Sequence, residues 1–230
     1  MKKTTRLHRE KQEARTMAKL ILFQGDSITD CGRNKEDGLH TGRGYAHLVE
    51  AQLGCEAPGK YDFLNRGISG NRIVDVYARI KKDIINLQPD YMSLLIGVND
   101  VWHELGGKHN GVSAEKFEKI YDMLLSEIFE SLPNIKIMLM EPFVLPGTAT
   151  DAREDEADRW ENFRREVPLR AAAAKRMAEK YGLPFVTLQD KLDAACKSAP
   201  ASYWLRDGVH PTAMGHWLIK EAWLEAFRAL

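Results

Sequence analysis

Cysteine is scarce in this chain: Cys31, Cys55 and Cys196 are all it has among 230 residues. An odd number, widely spaced and without a C-x-x-C pair, argues against a disulfide framework and a structural zinc site. Net charge is lacking too, since 33 Lys+Arg face 33 Asp+Glu. No general electrostatic pull therefore draws the molecule to nucleic acid or to an acidic membrane. No apolar run approaches the ~18 residues of a membrane span. His40, His47, His103, His109 and His216 show no ligand spacing, and nothing in the pattern calls for a metal or a cofactor. What is present, 44% hydrophobic and 29% charged residues, is ordinary globular composition.

The N-terminus is the one lopsided stretch. Residues 1–16 hold Lys2, Lys3, Arg6, Arg9, Lys11 and Arg15 against Glu10 and Glu13, without the apolar core of a secretory signal. This arm is either a partner-binding or targeting segment or, more simply, an exposed tail. The expected layout is a basic extension over 1–16, one domain over 17–230, and a cytoplasmic address.

Beyond Met17, short apolar runs alternate with longer amphipathic stretches. Strands are expected at 19–24, 62–65, 91–96, 135–140 and 184–188. Helices are expected at about 45–53, 72–86, 114–131, 159–181 and 212–228. In the third of these, Phe117, Ile120, Tyr121, Leu124, Leu125 and Ile128 recur at helical spacing, a core-facing stripe. Strand alternating with helix implies an α/β fold, a doubly wound parallel sheet with functional loops at the strand C-termini. Glu141–Trp160 is the least regular stretch. It reads either as a mobile flap presenting Phe143, Val144 and Leu145 to a substrate or as a solvated connection.

Ser27 follows the first strand in Gly25-Asp26-Ser27-Ile28, where a chain turns from strand to helix and N–H groups point outward. An N-capping serine explains such a motif equally well. A serine nucleophile needs a base, and Asp207-Gly208-Val209-His210-Pro211 offers one. An acid three residues before a histidine can take its Nδ1 proton, fix the tautomer and stabilise imidazolium; a capping Asp beside a surface His is the plainer alternative. Asn65-Arg66-Gly67-Ile68-Ser69-Gly70-Asn71 and Gly97-Val98-Asn99-Asp100 follow two further strands. Glycine N–H groups and an Asn amide are oxyanion donors, or simply turn residues.

Together these four blocks resemble the SGNH hydrolases, or GDSL esterases, in family order across Gly25–Pro211. The resemblance implies a three-layer α/β/α sandwich with a five-stranded, mainly parallel, flavodoxin-like sheet. It implies Ser27 as nucleophile, His210 as base and Asp207 as its orienter, with an oxyanion hole from the Ser27 and Gly70 N–H groups and the Asn99 amide. Gly67 is the more obvious glycine, but Gly70 matches the family's donor position. The strings Q-G-D-S-I-T-D-C-G-R, N-R-G-I-S-G-N and I-G-V-N-D-V-W are most similar to the intracellular serine acetylxylan esterases. That similarity implies a small acetylated carbohydrate as substrate and a homo-oligomer. The arm and the run around Asp151–Asp158 depart from that pattern.

Asp26, Asn71, Trp102 and Trp204 are the candidate substrate contacts. Trp102 lies just past Asn99-Asp100, and Tyr203 and Trp204 just before Asp207, where aromatic faces stack on a sugar or serve as core. Cys31 reads as a small buried filler. The competing functions are a general short-chain carboxylesterase, lysophospholipase or thioesterase and, from another class, a metal-dependent phosphohydrolase drawing on Asp26, Asp30, Asn99, Asp100, Asp207 and His210.

Overall fold

A computed structural model describes residues 18–36, 40–105 and 107–230; the expected extension over 1–16 lies outside them. In chain order the elements are β1 (Lys19–Gly25), α1 (Ser27–Asp30), α2 (Tyr45–Glu56), β2 (Tyr61–Asn65), α3 (Ile73–Ala78) and α4 (Ile80–Asp83). A 3₁₀ turn over Ile85–Leu87 precedes β3 (Tyr91–Leu95), α5 (Val98–Trp102), α6 (Ala114–Ser131) and β4 (Lys136–Met140). Then come α7 (Arg159–Tyr181), β5 (Phe185–Val186), α8 (Gln189–Ala195), α9 (Ala201–Trp204) and α10 (Ala213–Phe227).

The five strands form one sheet in the order β2-β1-β3-β4-β5, and every pairing is parallel. Both faces are covered by helices, the α/β architecture the alternation implied. The strand residues show why. In β1, Ile21 and Phe23 join one apolar cluster while Leu22 joins the other; in β4, Met138 and Met140 face the first and Ile137 and Leu139 the second. A period of two with both sides buried is the mark of a central parallel strand. One cluster takes Val49 of α2 and Ile219 and Trp223 of α10, with Phe23 and Trp223 rings 5.5 Å apart. The other takes Ile73 of α3, the stripe of α6 and Ala173, Ala174 and Met177 of α7. Because β1 sits between β2 and β3, the chain reverses its winding direction there, which opens a crevice at the C-terminal end of β1.

Two expectations are corrected. The single helix expected over 72–86 is broken into α3, α4 and the 3₁₀ turn. Ile73, Val76, Ile80 and Ile84 are buried at helical spacing, but Arg79 between them is non-helical at φ −111°, ψ 15°. Its guanidinium turns inward instead, as described below. The second correction concerns 141–160. Phe143, Val144 and Leu145 are 0%, 4% and 4% exposed and belong to the core, so this stretch is neither a flap nor a solvated connection along that part.

Candidate active site

The apolar core carries β1 to Gly25, and the chain then turns sharply into α1. Asp26 caps that helix, its Oδ1 accepting the Ile28 N–H at 2.9 Å, which leaves Ser27 as the first helical residue on the crevice floor. Asp26 itself is 1% exposed, so the expected substrate contact is corrected: the carboxyl points under the turn. Burial pushes its pKa up to about 7, against the pull of the Ile28 N–H and the nearby His210 ring.

Although 183 residues separate them, Ser27 Oγ lies 2.9 Å from His210 Nε2. His210 Nδ1 lies 2.7 Å from Asp207 Oδ2. The other carboxylate oxygen, Oδ1, accepts the Val209 and His210 N–H groups at 3.0 and 2.8 Å. Burial raises the Asp207 pKa, but the His210 ring and the two N–H donors outweigh it and hold the group well below the usual carboxylate range. An ionised Asp207 requires the proton on Nδ1, which leaves Nε2 bare and facing the serine hydroxyl.

The loop bearing this pair is braced from outside by the 143–150 segment. Leu145 N–H donates to Gly208 O and Ala149 N–H to Asp207 O, each at 2.9 Å. Gly147 packs so close that a Cβ there would sit 2.4 Å from the Asp207 carbonyl carbon. Of the two candidate tryptophans, Trp102 stands beside the histidine, its ring centroid 5.9 Å from that of His210 and backed by the buried Arg159, 5.8 Å away. Like Trp102, Trp204 does not line the cleft around Ser27. Its indole N–H donates to Ala199 O at 3.3 Å and its carbonyl accepts the Thr212 N–H at 2.9 Å. These bonds make it a support for the loop.

The 65–71 loop is fastened to the Ser27 turn by side chains. Asn65 Nδ2 donates to Thr29 O at 2.6 Å, and Asn65 Oδ1 accepts the Gly67 N–H at 2.9 Å. Asp30 Oδ2 accepts both the N–H and the hydroxyl of Ser69 at 3.0 Å. Arg79, freed by the helix break, donates to Arg66 O, Asn71 Oδ1 and Gln24 Oε1 at 2.6–2.8 Å. The two glycines of the loop differ. A Cβ on Gly67 would lie 2.4 Å from the Asp30 nitrogen, so Gly67 serves close packing, whereas Gly70 stands in open space at φ +83°. Among the described residues, neither the Ser27 nor the Gly70 N–H has an internal acceptor. From α5, Asn99 Nδ2 donates to Asn71 O at 3.1 Å, leaving its second hydrogen uncommitted. Asn71 thus orients the amide through its carbonyl, and its Oδ1 is held by Arg79.

A second histidine approaches the cleft, but its chemistry differs. Cys31 Sγ lies 3.2 Å from His216 Nε2, while His216 Nδ1 accepts the Tyr45 N–H at 3.1 Å. An acceptor Nδ1 puts the proton on Nε2, so His216 cannot take the thiol's proton. Burial pushes the Cys31 thiol up and His216 down to about 4, the latter helped by the His210 ring. The acids invoked for a metal site are dispersed: Asp26 caps α1, Asp30 holds Ser69 and Asp100 accepts the Ile73 N–H. No three His, Cys, Asp or Glu side chains gather as a metal cage among the described residues. Also among these, no helix is long and apolar enough to cross a membrane.

The fastening roles that sequence reasoning missed belong to Asn65, Asp30, Arg79, Gly147 and Arg159. Asn65 and Asp30 stand inside or beside the motif blocks, a signal of position though not of role. The other three carry none.

Residues 23–218 match the GDSL-like Lipase/Acylhydrolase family. An acetylxylan esterase of Geobacillus stearothermophilus is 33% identical over 213 residues, spanning 89% of this chain and 91% of that one. A crystal structure of a putative GDSL-like lipase from Parabacteroides merdae ATCC 43184 superposes with a TM-score of 0.83 at 38% identity, covering 93% of this chain and 98% of that one. A catalytic mutant of Axe2, an acetylxylan esterase from Geobacillus stearothermophilus, superposes with a TM-score of 0.79 at 30% identity over 90% and 93% of the two chains. The chain therefore belongs to the GDSL-like lipase/acylhydrolase family and is a carboxylic ester hydrolase on the SGNH hydrolase fold.

Proposed function

We propose that the chain removes acetyl groups from acetylated carbohydrate, such as xylo-oligosaccharides, through an acyl-enzyme on Ser27. The observation that carries this is the continuous relay from Ser27 Oγ to His210 Nε2 (2.9 Å) and from Nδ1 to Asp207 Oδ2 (2.7 Å). Ser27 Oγ attacks the acetyl carbonyl as Nε2 takes its proton, and Asp207 stabilises the imidazolium. The Ser27 and Gly70 N–H groups and the free Asn99 hydrogen receive the oxyanion. Imidazolium Nε2–H protonates the departing sugar oxygen. Water, deprotonated by the same nitrogen, then attacks the acetyl-serine, acetate leaves and the hydroxyl recovers its proton.

Two supports come from relatives. In Axe2, alanine variants at a serine, an aspartate and a histidine are catalytic mutants. Axe2 is also an acetyl-xylooligosaccharide esterase. The cleft beside Ser27 measures about 440 Å³ and is lined chiefly by polar side chains, which favours a small acyl group on a polar alcohol over a long acyl chain. The test is Ser27→Ala, expected to lower p-nitrophenyl acetate turnover by at least ~10⁴-fold with an unchanged circular dichroism spectrum. Undiminished turnover would overturn the reading. Rates rising from acetyl to octanoyl esters would instead favour the general carboxylesterase or lysophospholipase.

A further inference from the structure

The crevice around Ser27 is unevenly charged although the chain as a whole is neutral. Its lining includes two arginines, Arg43 and Arg206, and no carboxylate. Both side chains are exposed, and among the described residues neither pairs with an acid or donates a side-chain hydrogen bond. Of the other described arginines, Arg72, Arg79, Arg159, Arg164, Arg165, Arg170, Arg176 and Arg228 have carboxylate partners, while Arg33, Arg66 and Arg153 have no ion pair either but do not line this crevice.

Position ties both arginines to the reacting centre. Arg206 immediately precedes Asp207, and its N–H donates to His210 O at 2.8 Å, so its Cα is fixed by the loop that carries the base. Arg43 N–H donates to Cys31 O at 3.0 Å, and its guanidinium lies against Gly32, where a Cβ would come within 2.8 Å of Nη2. Neither nearby acid is paired with them: Asp30 is 4% exposed and accepts two bonds from Ser69, and Asp207, next to Arg206 in the chain, is bound to the His210 ring and to the Val209 and His210 N–H groups. A planar guanidinium left unpaired at a cleft mouth is a fork for a carboxylate or a phosphate.

Building on the acetylesterase reading, we infer that Arg43 and Arg206 are specificity-determining residues that select an acetylated sugar bearing an anionic group. An acetyl group has no room for a charge, so the anion belongs to the alcohol portion: a uronic-acid carboxylate of an oligosaccharide or a sugar phosphate. The ester itself reacts as described above, and the two arginines act only in binding.

The test measures kcat/KM for acetate release from three acetylated substrates: a neutral xylo-oligosaccharide, one carrying a uronic acid, and a monosaccharide phosphate. It uses the full chain and its Arg206→Gln, Arg43→Gln and double variants. The readout is the ratio of anionic to neutral kcat/KM, which is insensitive to loss of folded enzyme. Each exposed guanidinium–anion pair is expected to contribute a few-fold, so the wild-type ratio should be about ten for at least one anion and fall toward one in the double variant. The change should lie in KM, as for binding shared by ground and transition states, and 0.5 M salt should shrink the preference. Whichever anion shows the higher ratio identifies the source of the charge. Brisk hydrolysis of the neutral substrate with a ratio at or below one, or a ratio unmoved in the double variant, overturns this inference and leaves the esterase reading standing. If no acetyl ester is turned over by the wild type, both fall.

Discussion

Asn99 keeps one amide hydrogen uncommitted while the other is held by Asn71 O at 3.1 Å. A preset dipole aimed at developing charge is worth more than one that must reorient. Asn99→Ala is therefore expected to lower kcat on p-nitrophenyl acetate by about 10²–10³-fold with little change in KM. An equal loss carried by KM would move Asn99 from the oxyanion hole to ground-state binding. At this scale, legibility follows locality. Asp207 and His210 are three residues apart, so a short loop suffices to bring carboxylate and ring together, and their pairing can be read from the string. Asp26 is adjacent to Ser27, yet adjacency does not say which side of the turn a carboxyl takes. Here the cap bond to Ile28 N–H draws it under the floor. Asn71 and Trp204 likewise stand beside site residues in sequence, yet Asn71 Oδ1 accepts from Arg79 and the Trp204 indole N–H donates to Ala199 O.

Elements were legible where one face alone decides them. α6 spans Ala114–Ser131 and α7 spans Arg159–Tyr181, as their apolar periodicity dictates, even though α7 contains Pro168. β5 is only Phe185–Val186 because β4 alone pairs with it at the sheet edge. The 143–150 segment escaped, since its order comes from the partner it braces and not from a period of its own. That brace makes a prediction. A Cβ on Gly147 would lie 2.4 Å from both the Asp207 carbonyl carbon and the Gly208 nitrogen, and these are backbone atoms that cannot swing aside. Gly147→Ala should therefore displace the Asp207 loop and lengthen the Ser27–His210 contact, lowering kcat by roughly 10–10²-fold. Stability should fall by only ~1–2 kcal/mol, as for local overpacking. Unimpaired turnover in a folded variant would show that the brace is dispensable to the relay.

At the scale of the whole molecule, two buried ionisable groups beneath the crevice act on stability in opposite directions. The Asp26 carboxyl is pushed from 3.8 up to about 7 by burial, so between those values the folded chain keeps a proton that the unfolded chain has released. Stability from this group is full below the lower value and declines as pH rises through the window. His216 is pushed from 6.5 down to about 4, chiefly by burial, and the unfolded chain binds a proton the folded one refuses. Stability from this group is full above 6.5 and declines as pH falls toward 4. Each slope is at most about 1.4 kcal/mol per pH unit, and over 4–6.5 the two nearly cancel. Asp26→Asn keeps an Oδ1 acceptor for Ile28 while removing one slope. Urea unfolding of this variant should show stability falling more steeply than wild type as pH drops from 6.5 to 4. His216→Gln should tilt the profile the other way, weakening as pH climbs from 4 to 7. The slopes carry the test, because each substitution also shifts absolute stability through packing. An Asp26→Asn profile parallel to wild type across that range would mean that Asp26 is already ionised in the fold at pH 4, and that burial beneath Ser27 does not hold its proton.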